Sequence, residues 1–452
     1  MKGLSRILLV FPLLAVPCLF DLSAQALFEP EDGVVYHGVG WGDEAQTNYC
    51  AMFAGDKQPL LFQNIFAIPG GARLLTVARI LEALDPPNMH HEKQFAELSV
   101  HFMLGDETAV DSAFTFTGQY DSYIDTLAQA LIQNGRPVFL RIGLEMNGPW
   151  NGYSPWIFPK AFRKLVLGLR ARNVKDIVYV WCYEPDAESD FADSTERGWK
   201  WFPGDDAVDW FGLDLFDADH FNPDLSDSTG SRLTKKGRST AFLRFAAERG
   251  KPVYLNELSA RHVYISADRN DPDFDDGKRD WDAWFDPFFR FLALNPIIKA
   301  FNYINLDWRT ITKYADWGDS RIEINTYIRD RWTAKLAEPR FKHIGTELGS
   351  AYTYVGPGYT AGRLSGNSDR LSVFPNPVNQ TTVIEYSLGE GGFVSLGVVN
   401  ALGQRMSNLI EGNQDAGSHR IFWASSGMPS GLVFVVLRSS KGIRIEKLIV
   451  LK

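Results

Sequence analysis

Arg136-Pro137-Val138-Phe139-Leu140-Arg141-Ile142-Gly143-Leu144-Glu145-Met146-Asn147-Gly148 is an apolar β-type run that closes on a carboxylate. Lys251-Pro252-Val253-Tyr254-Leu255-Asn256-Glu257 closes the same way. Around them, from about residue 30 to 345, apolar runs alternate with segments of helical periodicity. The expected strands are Val34–Val39, Leu60–Ile65, Leu98–Met103, Val138–Gly143, Ile177–Trp181, Ala207–Leu213, Pro252–Leu255 and Lys299–Ile304. Between them Tyr123–Gln133, Lys160–Leu169, Ser239–Glu248, Trp281–Leu294 and Ile322–Leu336 carry apolar residues at three- and four-residue spacing. This α/β pattern predicts a (β/α)8 TIM barrel over 27–345 rather than an open sheet, which would usually show fewer strands and a Gly-rich phosphate turn. No GxGxxG or GxxxxGK[ST] run occurs, which argues against nucleotide binding.

Composition narrows the partners. The 452 residues are 45% hydrophobic and 22% charged, enough apolar material for a large core plus a small module. A net charge of −9 without a basic stripe argues against nucleic acid and against an acidic polymer, and favours a neutral glycan. Residues 1–26 read as a signal peptide: Lys2 and Arg6, then apolar Ile7–Phe20, then Ala24-Gln25-Ala26. The apolar stretch, about 14 residues, is too short to span a bilayer. Cys18 falls inside the signal. Cys50 and Cys182 remain, and spacing alone leaves their pairing open and implies no metal site. No organic cofactor is implied either.

A carboxylate at the C-terminal tip of a barrel strand stands where such folds carry out chemistry. An isolated Glu usually caps a surface loop, but two at strand tips amid tryptophans suggest an acid and a nucleophile beside a sugar platform. Trp150, Trp156, Trp181, Trp210 and Trp308 lie near strand ends, and a flat indole suits the apolar C–H face of a sugar ring. Each is as readily a packing residue. Tyr183 and Tyr303 are lesser candidates. Asp214 and His101 would reach hydroxyls, or else serve a turn and the core, and Arg141 would pair a carboxylate in either setting.

Arg141-Ile142-Gly143-Leu144-Glu145-Met146-Asn147-Gly148-Pro149-Trp150 resembles the acid/base segment of glycoside hydrolase family 26, which includes β-mannanases and β-1,3-xylanases. Asp209-Trp210-Phe211-Gly212-Leu213-Asp214-Leu215-Phe216 resembles its sixth strand, Leu255-Asn256-Glu257 its strand-seven nucleophile, and Asp307-Trp308-Arg309 the aromatic-arginine pair after strand eight. The resemblance implies a retaining endo-β-glycanase of a neutral plant or algal polysaccharide, with Glu145 as acid and later base and Glu257 as nucleophile. Arg309 joins the substrate-binding candidates by the same resemblance. Two positions depart from it: Leu144 replaces the His usual before the acid, and Phe216 stands where a tyrosine is expected. A non-catalytic glycan-binding barrel and an exo-acting glycosidase of the same clan are the rival readings.

After a Gly/Ser-rich stretch at 346–368, read as a linker, residues 369–452 change texture to short strands and turns, a small all-β sandwich. Val373-Phe374-Pro375-Asn376-Pro377, Asn400-Ala401-Leu402-Gly403-Gln404, Ala416-Gly417-Ser418-His419 and Lys447-Leu448-Ile449-Val450 resemble the C-terminal sorting domain of the type IX secretion system. That resemblance implies an outer-membrane secretion machinery as partner, with export through the periplasm to the cell surface or medium. The polysaccharide substrate is the other expected partner, and the enzyme is expected to act as a monomer.

Overall fold

The computed structural model describes residues 26–451 apart from 71–73, 87–93, 105–107, 188–190, 192–193, 196–197, 226–233, 262, 265–276, 347, 349–369, 375–377, 379–380, 401–403, 426–427 and 429. The expected signal and linker therefore lie almost wholly outside the described residues. The chain divides into two compact units, 1–354 and 355–452.

In the first unit eight parallel strands make the barrel, with the two-residue strand Phe341–Lys342 added beside the first: β1 Val35–Val39, β2 Leu61–Pro69, β3 Phe95–Met103, β4 Val138–Glu145, β5 Ile177–Tyr183, β6 Trp210–Leu213, β7 Val253–Leu258 and β8 Ile298–Tyr303. They pair in chain order, and β8 closes on β1 through Tyr36↔Ala300 and Val39↔Tyr303. Helices follow seven of them: α1 Asp43–Ala51, α2 Val77–Leu84, α3 Asp121–Asn134, α4 Phe158–Ala171, α5 Lys235–Ala247, α6 Asp286–Leu294 and α7 Thr326–Leu336. Between β5 and β6 the described residues contain no helix.

The strands read as near-continuous apolar runs because both faces are covered. Outward side chains such as Leu140, Ile142, Trp181 and Phe301 meet the helices, whose apolar faces repeat at three and four residues; α4 presents Phe158, Phe162, Leu165 and Leu169. Inward, Tyr36, Phe139, Val178, Trp210 and Tyr254 fill the floor of the barrel with Phe28. Trp210 Nε1 donates to Leu27 O at 2.9 Å, fixing the entering chain under that floor. Three helix starts carry a side-chain cap, Thr76 on α2, Thr234 on α5 and Asn325 on α7, where Oδ1 accepts from Tyr327 N and Ile328 N at 3.0 and 3.2 Å.

Among its described residues the second unit holds seven antiparallel strands, β9 Arg370–Phe374, β10 Thr381–Leu388, β11 Gly392–Asn400, β12 Arg405–Gln414, β13 Gly417–Ala424, β14 Gly431–Ser439 and β15 Gly442–Val450. They form a three-stranded sheet, β9-β10-β13, and a four-stranded one, β12-β11-β14-β15. Leu371, Ile384, Leu396, Trp423, Val435 and Leu448 make its core. Strand β12 goes unseen in the sequence. It is a polar edge strand, Arg-Met-Ser-Asn-Leu-Ile-Glu-Gly-Asn-Gln, none of it buried, so it carries no alternation to read.

Candidate active site

Both glutamates reach the mouth of the barrel through irregularities in their strands. Along β4, Arg141 pairs with Val180 and Glu145 with Cys182, so four residues of β4 span two of β5. The excess is taken up by Gly143 at φ 82° and Leu144 at φ 45°, both left-handed. A bulge of this kind re-aims the side chain beyond it. Along β7, Leu255 pairs with Phe301 and Leu258 with Tyr303, so three residues of β7 span two of β8, an excess of one. Leu255 and Leu258 both pack in the outer core, so strict alternation would have sent Glu257 outward with Leu255. The bulge turns it in.

Arg141, fully buried, joins the tips. Its Nη1 donates to Glu257 Oε1 at 2.6 Å and its Nη2 to Asp214 Oδ2. Asp214 Oδ1 accepts from the Glu257 backbone N–H at 2.9 Å and from Cys182 Sγ at 3.4 Å, which fixes the end of β7 against β6. Glu145 Oε2 accepts from Trp150 Nε1, and Asn151 Nδ2 donates to Glu145 O at 2.7 Å. One carboxylate oxygen each of Glu145, Asp214 and Glu257 lie within 4.8 Å of one another. Below them Glu97 accepts from Ser99 Oγ at 2.7 Å and Asn302 Nδ2 at 3.3 Å.

The charges divide the two glutamates. Burial, and then the charge of Glu257, push the Glu145 carboxyl up to about 7, while the Arg141 charge and then the Trp150 hydrogen bond pull against them. Burial and the Arg141 charge depress His101 to about 4, so it faces the site neutral. Burial works against the charge on Arg141, yet Asp214 and other acidic neighbours outweigh it and hold its pKa well above the ordinary value. If Glu145 is the proton donor, kcat/KM falls as pH rises through about 7, because the protonated form is then lost. Trp150→Phe removes a bond that favours the ionised form, so this alkaline limb moves upward. A pH–rate profile checks both, and a limb that stays in place in Trp150→Phe would assign it to another group.

The candidates separate by which way their strand faces them. Arg141, Glu145, Asp214 and Glu257 converge, with Trp150, 42% exposed, against Glu145 and His101 held by Tyr153 at 3.3 Å. Trp181 and Tyr183 alternate outward on β5 and are buried among Phe202, Phe211, Phe242 and Phe191. Tyr303 likewise packs outward on Trp332. Trp210 points inward but begins its strand, and so belongs to the floor. These four present no face to a ligand. Trp308 is buried at the mouth, its Nε1 donating to Ser259 Oγ at 2.9 Å, and Arg309 is half-exposed and paired with Asp307 and Asp319.

Trp308 backs an aromatic wall that the sequence reading missed. Trp41, Tyr314 and Trp317, all partly exposed, pack around Trp308 and Phe216, with Arg261 over Trp317 at 4.4 Å. Trp41 was findable: it lies two residues beyond β1, where the strand-tip rule applies. Beyond β5, Glu184, Asp186 and His220 form a second missed group. Phe216 N–H donates to His220 Nδ1 at 3.3 Å, which turns Nε2–H toward Asp186 Oδ1 at 3.1 Å. Burial, then the Glu145 charge, hold the Glu184 carboxyl well above the usual range.

Among the described residues three groups have metal-like spacing, Glu145/Asp214/Glu257, Glu184/Asp186/His220 and the adjoining Asp217/Asp219/His220, whose two aspartates Lys235 Nζ also meets. Each already holds a protein cation. Arg141 bridges the first, and Lys235 Nζ stands 2.6 Å from Asp186 Oδ1 in the second, with Arg261 at 3.2 Å from Oδ2. Cys50 and Cys182 are both buried free thiols.

Two separate stretches of the chain are similar to known proteins. Residues 62–284 match the family model of glycosyl hydrolase family 26, and residues 372–451 that of the secretion system C-terminal sorting domain, which marks a type IX cargo destined for the cell surface or medium. The chain is 33% identical over 261 residues to a β-1,3-xylanase of an Alcaligenes species, covering 53% of this chain and 51% of that protein. It is 33% identical over 250 residues to the β-1,3-xylanase TXYA of a Vibrio species, covering 51% and 50%. The chain thus spans about half the length of the curated relatives it matches. A family 26 β-mannanase from Bacteroides ovatus aligns over 72% of this chain and 95% of its own, with a TM-score of 0.46 and 16% identity.

Proposed function

We propose that this chain, whose barrel carries a family 26 glycosyl hydrolase domain, is an exported retaining endo-β-glycanase of a neutral polysaccharide, with β-1,3-xylan as its first substrate. The observation that carries the reading is the Glu145–Glu257 pair, with one oxygen of each carboxylate within 4.8 Å of the other, Arg141 on Glu257 and Trp150 on Glu145. A retaining pair stands roughly 5–5.5 Å apart, while an inverting pair needs about 6.5–9.5 Å to admit a water.

Glu257 Oε attacks the anomeric carbon as protonated Glu145 gives its proton to the departing glycosidic oxygen. The bond between sugars breaks and a glycosyl ester with Glu257 forms. Esterification removes the Glu257 charge, the largest cause after burial of the raised Glu145 pKa. Glu145 therefore becomes the stronger acid at the moment its ionised form is needed. It takes a proton from water, the oxygen attacks the same carbon, and Glu257 leaves as carboxylate. Arg141 holds the negative end of this cycle in place throughout.

Leu144 bears on the substrate. It is buried and apolar where a hydroxyl-binding side chain is usual, so that position lacks a hydrogen bond worth about 0.5–1.5 kcal/mol. The enzyme should not favour mannan over β-xylan or β-glucan, in line with the β-1,3-xylanase relatives. Relative kcat/KM on β-1,3-xylan, β-mannan and β-glucan tests this, with proton NMR of the first-formed anomer as the stereochemical readout. Net inversion would sink the double-displacement reading. A strong mannan preference would show that another residue reads the axial 2-hydroxyl.

A further inference from the structure

The wall of the barrel bears a cavity of about 420 Å³ outside the carboxylate cleft, within the roughly 300–1,000 Å³ of ligand pockets. Trp156, Pro159, Arg163, Phe202 and Pro203 line it. The cavity follows from the fold. The described residues between β5 and β6 form no helix, and the irregular segment 200–204 lies against α4 instead. Trp156 N–H donates to Lys200 O at 2.8 Å and Arg163 Nη1 to Pro203 O at 2.9 Å.

Trp156 sits at φ 70°, a left-handed backbone that an aromatic residue adopts only under constraint. The constraint places a large indole at the rim of an open cavity. Such strain needs a reason, and packing is a weak one for a half-buried side chain. The cavity's cations are matched: Arg163 forks onto Asp206 at 2.6 and 2.8 Å, and Lys160 Nζ lies 5.6 Å from the centre of the Phe116 ring. A neutral ligand fits this balance better than an anion. An indole face beside a planar guanidinium–carboxylate pair offers one apolar surface and adjoining donors and acceptors, the complement of a pyranose with vicinal hydroxyls.

We propose that this cavity is a second polysaccharide-binding site, which holds a neutral pyranose unit of the polymer away from the bond being cut. The inference rests on the glycanase reading for its ligand class. It commits to a neutral glycan, and Trp156 is its anchor.

Trp156→Gly in the full chain isolates the anchor, because glycine takes φ 70° without strain while the indole is lost. Its adsorption to insoluble β-1,3-xylan and β-mannan, and its rate on those polymers, should fall about three- to tenfold. kcat/KM on a soluble tetrasaccharide of the same sugar should stay within about twofold. Trp156→Tyr, which keeps a ring, should retain most of the adsorption. Unchanged adsorption in Trp156→Gly overturns the inference, as does a wild-type chain that adsorbs to neither polymer. A tetrasaccharide rate that falls in step with the polymer rate also overturns it, because Trp156 would then belong to the cleft. A wild-type chain that adsorbs but cleaves neither, with adsorption lost in Trp156→Gly, removes the glycanase reading and leaves this site standing.

Discussion

Glu257→Gln will lower turnover about 10⁴-fold or more, because the amide cannot form the glycosyl ester on which double displacement depends. The glutamine is chosen with Arg141 in view. Its amide oxygen still accepts from Nη1, so the buried guanidinium keeps a partner in place of the 2.6 Å ion pair. Removing one partner of a buried ion pair outright costs about 3–5 kcal/mol. Glu257→Ala would therefore confound lost chemistry with lost stability, although Asp214 remains on Arg141. Glu145→Ala tests the other half. Its first step survives for substrates with good leaving groups, and azide, needing no general base, should restore turnover as the glycosyl azide. Full activity in either variant, or azide rescue of the Glu257 variant alone, would exchange or abolish the assigned roles.

Which candidates converge was only partly legible in the chain. The barrel was, because buried parallel strands announce themselves as apolar runs between helical segments. Depth along a strand was legible too, and it placed Glu145 and Glu257 at the mouth. Facing was not. Trp181 and Tyr183 stand at the tip of β5 as surely as Cys182 does, yet alternation sends them under the helices and Cys182 toward Asp214. Trp210 faces inward but starts β6, so it fills the floor. The bulges decide the rest, since a period of two holds only while the register does. A reader counting inward from Tyr254 would have turned Glu257 into the outer core. The wall of Trp41, Tyr314 and Trp317 assembles from loops after β1 and β8, where no periodicity exists to be read.

Gly143→Ala should be the most damaging small substitution at the site, in stability as well as rate. A Cβ there would lie 2.6 Å from Phe158 Cζ and closer still to its neighbour in the ring. Phe158 cannot yield easily: it is fully buried at the first position of α4, against Phe102, Tyr153, Phe162 and Trp201. The backbone adds its own cost, since φ 82° suits glycine and strains alanine by about 1–2 kcal/mol. Overpacking adds about 1–3 kcal/mol, for a total of about 2–5 kcal/mol. Relief is available by a flip of the 143–144 segment back to regular strand, which would erase the bulge and withdraw Glu145 from Cys182 and Trp150. The two routes are distinguishable. If the bulge persists, the melting temperature drops and the kcat of the remaining folded enzyme holds. If it collapses, kcat falls with the alkaline limb displaced from pH 7, because Glu145 has left the field of Glu257. A variant with wild-type melting temperature and wild-type pH profile would show that the Gly143–Leu144 bulge does not aim the acid.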